Sequence, residues 1–328
     1  MIIFTQSVVY SHLLAVREHV AGYGARAHVI DTLIPVPDLL ERIDYGMMEE
    51  SRKKALFLIP HYGIAKDRLR KEFPGLAQYL DNLVRTREGK TGRLMKNARA
   101  IILNGNDHIS VNPSLHGYES DDVYWLIFYK GNWYLDAQLE IDSFLAKYAF
   151  NNQLPVFGIC RGYQLLHRLF GGTGKVIVSD TERNTHVDRR YFENGFNEYG
   201  EGRVEMFPSG THDVLIKEDS IMHYCLGSDI ICPVSLHYEI ICDSKLHENE
   251  IITARSFEGD GLNYPEAIEF SNHRACIGVQ FHPEFGEGRI LLERFINYVY
   301  DIEAAPEITM LEWACQKYGR FSRIGTCA

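Results

Sequence analysis

Gly158-Ile159-Cys160-Arg161-Gly162 places a thiol between two glycines. It follows the apolar run Pro155 to Ile159 and precedes Arg161 to Phe170, which is patterned as a helix. A G-x-nucleophile-x-G pentapeptide between strand and helix reads as a nucleophile elbow. The chain turns sharply there, and the flanking glycines remove side chains that would clash. The helix N-terminus is then expected to lower the thiol pKa and favour the thiolate. A second segment, Gly278-Val279-Gln280-Phe281-His282-Pro283-Glu284, supplies a base. Pro283 restricts His282 to extended backbone, which fixes the direction of the imidazole. Glu284 stands two residues on, where it can orient the ring and stabilise its charged form. Cys160, His282 and Glu284 together have the residue types for acyl transfer through a covalent intermediate.

Acyl transfer also needs donors for the developing oxyanion. The amide after the nucleophile, that of Arg161, is one. Gly105 and Asn106, just after the apolar run Ala100 to Leu103, are the candidates for the other. A glycine there allows close approach, and backbone N–H groups can point inward.

These residues need elements to hold them. Met1 to Gln6 reads as a strand, Val8 to Val20 as a helix and Ala27 to Ile30 as a strand. Lys53 to Pro60 is a candidate strand, and Asp67 to Val84 has helical patterning. Ala100 to Leu103 is a short strand, Asp136 to Phe150 an amphipathic helix, and Pro155 to Ile159 a strand of the buried parallel type. The helix from Arg161 ends at Gly171-Gly172, and short strands and turns fill 175–281. A short helix is expected around Leu311 to Tyr318, followed by a tail. Strands alternating with helices predict an α/β fold with a doubly wound, mostly parallel sheet flanked by helices. Arg85 to Arg99 holds Arg85, Arg87, Lys90, Arg93, Lys96 and Arg99 against a single acid, Glu88. It reads as a solvated face or loop, or as a local site for an anionic group.

LPVFGICRGYQLL and GVQFHPE resemble the class I glutamine amidotransferase family, whose fold is a doubly wound α/β sheet. Within it the resemblance is to the γ-glutamyl hydrolase branch, typified by γ-glutamyl-γ-aminobutyrate hydrolases and classed with C26-type cysteine peptidases. CRGYQ is similar to that branch's nucleophile motif. Val234-Ser235-Leu236-His237-Tyr238 resembles its N-S-x-H motif. Leu103 to Asn106, followed by Asn112-Pro113, resembles its oxyanion loop. Val234 stands where the branch usually has Asn, Glu239 where Gln is common, and Asn106 where Gly is frequent.

The resemblance spans roughly 1–35 and 100–300, so residues 1–304 are expected to form one such domain. Its atypical insertion is at about 38–99, and 305–328 form a helix and tail. It implies attack of Cys160 on glutamine or a γ-glutamyl amide, a γ-glutamyl thioester, and release of glutamate with an amine or ammonia. Gln164, Ser235 and His237 are the residues it implies for holding the glutamyl part. The alternative it leaves open is a glutaminase subunit that delivers ammonia to a separate synthase chain.

The 34 cations and 44 anions leave a net charge of −10, which speaks against nucleic-acid binding through a basic face. No apolar stretch is long enough to span a membrane, and the first residues lack a signal-peptide pattern. The seven cysteines include no C-x-x-C pair, so neither a disulfide framework nor a zinc ribbon fits, and a cytoplasmic setting is expected. Gly22 to Ala27 imitates a dinucleotide fingerprint, but it follows a helix and precedes a strand, the reverse of the required order. The fourteen histidines are scattered along the chain, and neither a metal nor another cofactor is expected. The expected partners are a small γ-glutamyl substrate and either a synthase or a second copy of the chain.

Overall fold

The structure, a computed structural model, describes residues 2–6, 17–18, 20–22, 26–30, 67–68, 70–105, 136–177, 186, 212–237, 239–257, 264–304 and 307–319. The expected helix over Val8–Val20 lies largely outside these residues. So do the candidate strand over Lys53–Pro60, Asn106, the Asn112-Pro113 segment, Tyr238 and the tail beyond Gly319.

The chain divides into two compact units. One comprises Met1–Val29, Asn97–Asn106 and Ala149–Ala328; the other comprises Ile30–Lys96 and Asp107–Tyr148. In the second unit, helix α1 (Pro74–Met95) starts with Pro74 at its first turn, where a missing N–H costs nothing. Leu76, Ala77, Leu80, Val84, Thr91 and Met95 are buried at helical spacing, while Arg85, Lys90 and Arg93 are exposed. The basic stretch is therefore helical up to Met95, and its described cations form a solvated face. Helix α2 (Asp136–Asn151) begins in this unit, and its Phe144 ring lies close to Gly92 of α1.

The first unit holds a nine-stranded sheet. Its strands are β1 (Ile2–Gln6), β2 (Arg26–Ile30), β3 (Ala100–Leu103), β4 (Val156–Ile159), β6 (Asp213–Ile216), β7 (Ile230–Ile231), β9 (Glu250–Phe257), β10 (Pro265–Phe270) and β11 (Cys276–Val279). Their order is β2-β1-β3-β4-β11-β10-β9-β6-β7, and β5 (Gly174–Val176) pairs separately with β8 (Glu239–Ile241). The β1–β3, β3–β4 and β4–β11 pairs are parallel. This is the parallel centre expected from the sequence. Beyond β11 the sheet continues through antiparallel pairs, β11–β10, β10–β9, β9–β6 and β6–β7.

The central strands read as continuous apolar runs because both faces are covered. Every residue of β3, β4 and β11 is buried. Helix α3 (Arg161–Leu169) covers one face, and Leu166 packs over Gly158. On the other face Phe157 meets Phe295 of helix α5 (Arg289–Asp301) edge-on, with ring centroids 5.2 Å apart. Truncating such a core aromatic to Ala costs about 3–5 kcal/mol. Two shorter helices complete this layer, α4 (Ile221–Leu226) and α6 (Met310–Tyr318). Thr309 and Glu312 start α6 with a reciprocal capping box, and Trp313 packs against Tyr298 of α5.

Glycine explains how closely α3 sits on the sheet. A Cβ on Gly162 would stand 2.1 Å from the Leu103 carbonyl oxygen, and one on Gly158 would stand 2.8 Å from the Gly162 backbone. Both glycines of the G-x-C-x-G pattern are thus required for helix-to-strand contact. At its far end α3 stops where Gly171 takes a left-handed φ of 87°.

Candidate active site

In the β3–β4–β11 register, Leu103 pairs with Gly158 and Gly158 with Gly278, while Ile159 pairs with Val279. Gly105, Cys160 and His282 follow these positions by a few residues. They therefore emerge at the same carboxyl edge of three adjacent parallel strands, where open α/β sheets bind ligands. A Cβ at Gly105 would lie 2.7 Å from His282 Cε1 and 3.3 Å from Cys160 Cβ. Gly105 thus stands between the Cys160 and His282 side chains, and a side chain there would displace one or the other.

Cys160 sits on the first half-turn before α3 with φ 49° and ψ −104°. That conformation is strained for a residue with a Cβ, at a cost of about 1–3 kcal/mol. Its backbone N–H donates to the Val279 carbonyl at 2.7 Å, which ties the elbow to β11. The sulfur lies 3.9 Å from the Leu236 carbonyl oxygen and 3.6 Å from Gln280 Nε2, whose N–H donates to it. Burial pushes the Cys160 thiol well above its ordinary range, the Glu284 charge adds to the rise, and the hydrogen bond from the Arg161 amide opposes it. The expectation of a lowered thiol pKa is therefore overturned. Removing the sulfur from water outweighs what the helix N-terminus gives back.

His282 Nδ1 and Glu284 Oε1 are 2.9 Å apart, and both side chains are buried. The His282 backbone N–H donates to Val234 O at 2.9 Å, so His282 is anchored to the segment that carries Ser235 and His237. The remaining candidates occupy different places. Ser235 is fully buried, and its Oγ has no hydrogen-bond partner among the described residues. Gln164 Nε2 donates to the Glu239 carbonyl at 3.1 Å and to Gln280 Oε1 at 3.2 Å, so Gln164 reaches the sulfur through Gln280. His237 Nδ1 lies 3.2 Å from the Glu239 carbonyl, and its Nε2 lies 3.5 Å from Glu266 Oε1.

Gln280 was not among the sequence candidates. Strand alternation was the available signal: in Gln280-Phe281-His282, residues two apart share a face. Glu266 is a buried charge that was also outside the sequence candidates. Burial pushes its carboxyl up, but attraction to His237 and His212 outweighs this and holds it well below the usual carboxylate range. Burial lowers His186 to about 3, with His237 adding to the effect.

A family model described as Peptidase C26 matches residues 84–284, more than half of the chain. The chain belongs to the Peptidase C26 family. The matched span of this C26 chain includes Gly105, Cys160, Arg161, Gln164, His282 and Glu284. Curated relatives include a CTP synthase from a Hydrogenobaculum strain, 31% identical over 151 residues, which cover 42% of this chain and 27% of that protein. Another is a CTP synthase from Mycoplasmopsis pulmonis, 24% identical over 293 residues, covering 78% of this chain and 52% of that protein. The chain thus spans about a quarter to half of their length. Among solved structures, a candidate GMP synthase subunit from Thermoplasma acidophilum matches with a TM-score of 0.50 at 12% identity. That match covers 94% of this chain and 98% of the other, and it places the two in one fold. Among the described residues no helix is long and apolar enough to cross a membrane.

Proposed function

We propose that this chain hydrolyses the side-chain amide of glutamine or of a γ-glutamyl amine through a thioester on Cys160. The observation that carries the reading is the convergence of Cys160, Gly105 and the bonded His282–Glu284 pair at one edge of three parallel strands. Because burial keeps the Cys160 thiol protonated, its proton must leave as the sulfur attacks the amide carbon. His282 takes it. With Nδ1 held by Glu284, Nε2 is the nitrogen for this transfer, and Glu284 stabilises the imidazolium that results. The Arg161 amide and an amide at Gly105 or Asn106 bind the oxyanion. The C–N bond then breaks as His282 protonates the leaving amine. Water, deprotonated by His282, attacks the thioester and releases glutamate with the thiol restored.

Ser235 is our candidate for direct contact with the glutamyl part, since its buried hydroxyl is uncommitted among the described residues. Gln164 and His237 support the site from inside the core, Gln164 by fixing Gln280 and His237 by fixing the segment that carries Ser235. A reducing, cytoplasmic setting suits a free catalytic thiol.

The kinship with CTP synthases favours a second reading, in which the ammonia is passed to a separate synthase chain. Glutamate release from glutamine and from a panel of γ-glutamyl amines tests both. High kcat/KM for one γ-glutamyl amine on the isolated chain supports the hydrolase. Slow release from glutamine alone, accelerated by a partner synthase, supports the second reading. No glutamate from any of these substrates contradicts both.

A further inference from the structure

Four side chains from four separate segments meet in the core of the sheet-bearing unit. They are His186, His212 just before β6, His237 and Glu266 on β10, and all are buried. Around Glu266 Oε1 stand His212 Nε2 at 3.4 Å, His237 Nε2 at 3.5 Å and His186 Nδ1 at 3.7 Å. One ligand atom from each of His186, His212 and Glu266 lies within 4.8 Å of the other two.

These separations exceed those of charge-assisted hydrogen bonds, which are about 2.7–2.9 Å. Neither oxygen of Glu266 accepts a hydrogen bond among the described residues. The His212 and His237 distances to Glu266 instead match the edges of a coordination polyhedron, and the His186 distance is slightly longer. With metal–ligand bonds of about 2.0–2.2 Å, the ligand atoms of a tetrahedral zinc site stand roughly 3.3–3.6 Å apart. The orientation of His237 agrees. Its Nδ1 faces the Glu239 carbonyl, so that nitrogen carries the proton and the lone pair sits on Nε2. A ring fixed in this way by a backbone carbonyl is the usual support of a metal-ligating histidine. A lone pair facing a carboxylate oxygen is satisfied by a positive charge between them, either a proton or a metal ion.

We propose that His186, His212 and Glu266, with His237 beside them, form a buried site for a divalent transition-metal ion of the zinc class. The ion ties residue 186, the start of β6 and β10 to the 234–239 segment, which also touches Cys160 and His282. Its proposed role is structural, with no part in the acyl-transfer steps. The site stands independently of the γ-glutamyl reading.

The test is metal content, measured on the full chain without a histidine tag. After incubation with zinc and dialysis, the wild type should hold about one zinc per chain, resistant to a weak chelator. Cys160→Ala should keep it, which excludes the catalytic thiol as the ligand. Glu266→Gln, folded by circular dichroism, should bind at least about tenfold more weakly, as expected when a metal-site ligand is lost. Cobalt(II) in place of zinc should show the visible bands of tetrahedral nitrogen and oxygen coordination, without thiolate charge transfer. The cobalt spectrum and the wild-type stoichiometry decide the matter if Glu266→Gln does not fold. A folded wild type that retains less than about a tenth of an equivalent overturns the proposal. So does zinc retained undiminished in folded Glu266→Gln, or a thiolate signature in the cobalt spectrum.

Discussion

Two of the buried histidine–carboxylate assemblies among the described residues of the sheet-bearing unit are built differently. His282 and Glu284 are two residues apart in sequence and 2.9 Å apart in space, the spacing of a shared proton. His186, His212 and His237 come from separate segments and surround Glu266 at 3.4 to 3.7 Å, the spacing of groups that share something larger. Both join histidine to a glutamate, and they differ in the number of rings and in distance. One stretch of chain serves both: Val234 O receives the His282 amide, and Leu236 O faces the Cys160 sulfur. His237 Nε2 turns the other way, toward Glu266.

The contrast predicts that the first assembly carries the chemistry. Cys160→Ala should lower kcat/KM for glutamate release by at least about three orders of magnitude, as expected when a covalent catalyst is removed. Steady-state kinetics on glutamine or the preferred γ-glutamyl amine measures this, and near-normal turnover would contradict it.

The pair itself can be dissected. His282→Ala should cost about as much as losing the nucleophile, while Glu284→Gln, which keeps the shape and removes the charge, should cost less. The double variant should be little worse than His282→Ala alone, because the two act as one unit. Losses that multiply would show that Glu284 acts elsewhere.

A third buried carboxylate separates proton sharing from simple burial. Glu269 accepts the backbone N–H groups of Ile221 and Met222 at the start of α4, both at 3.1 Å. Burial raises its pKa from 4.5 to about 7, against the lowering effect of those two bonds. The folded protein thus keeps a proton there that the unfolded chain releases. The stabilisation is complete below pH 4.5 and is lost as the pH rises through about 7. The Tm of the wild type should therefore fall relative to that of Glu269→Gln between these two values, and parallel Tm curves would contradict the assignment. The smallest effect belongs to the exposed basic face of α1. Exchanging Arg85, Lys90 and Arg93 for Gln should change stability by less than about 0.5 kcal/mol per site. It should also leave glutamine hydrolysis unchanged at low and moderate salt. A raised KM for the natural substrate in this triple variant would instead make the stretch a binding site.

The catalytic candidates were legible because their constraints are local. The G-x-C-x-G pattern records how closely α3 lies on β3 and β4, and His282-Pro283-Glu284 holds base and carboxylate within three residues. The central strands were legible for a related reason, since burial on both faces leaves continuous apolar runs. The histidine cage was not legible, because its members are brought together only by β10 and the 234–239 segment, far apart in the chain. Gln280 could have been found by strand alternation. The thiol pKa was misjudged because a helix N-terminus can be read from sequence while complete burial of the sulfur cannot. The antiparallel wing showed in the sequence only as short strands and turns, since its order, β10-β9-β6-β7, is set by pairings between distant segments.

The most direct test of the central claim is covalent trapping. The full-length protein is treated with a glutamine analogue carrying an electrophilic ketone at the amide position, and intact mass and peptide mapping follow. The account predicts one adduct per chain, on Cys160, blocked by excess substrate and absent in Cys160→Ala. An adduct on any of the other six cysteines with Cys160 unmodified, or no adduct under conditions where the enzyme turns over, would contradict it.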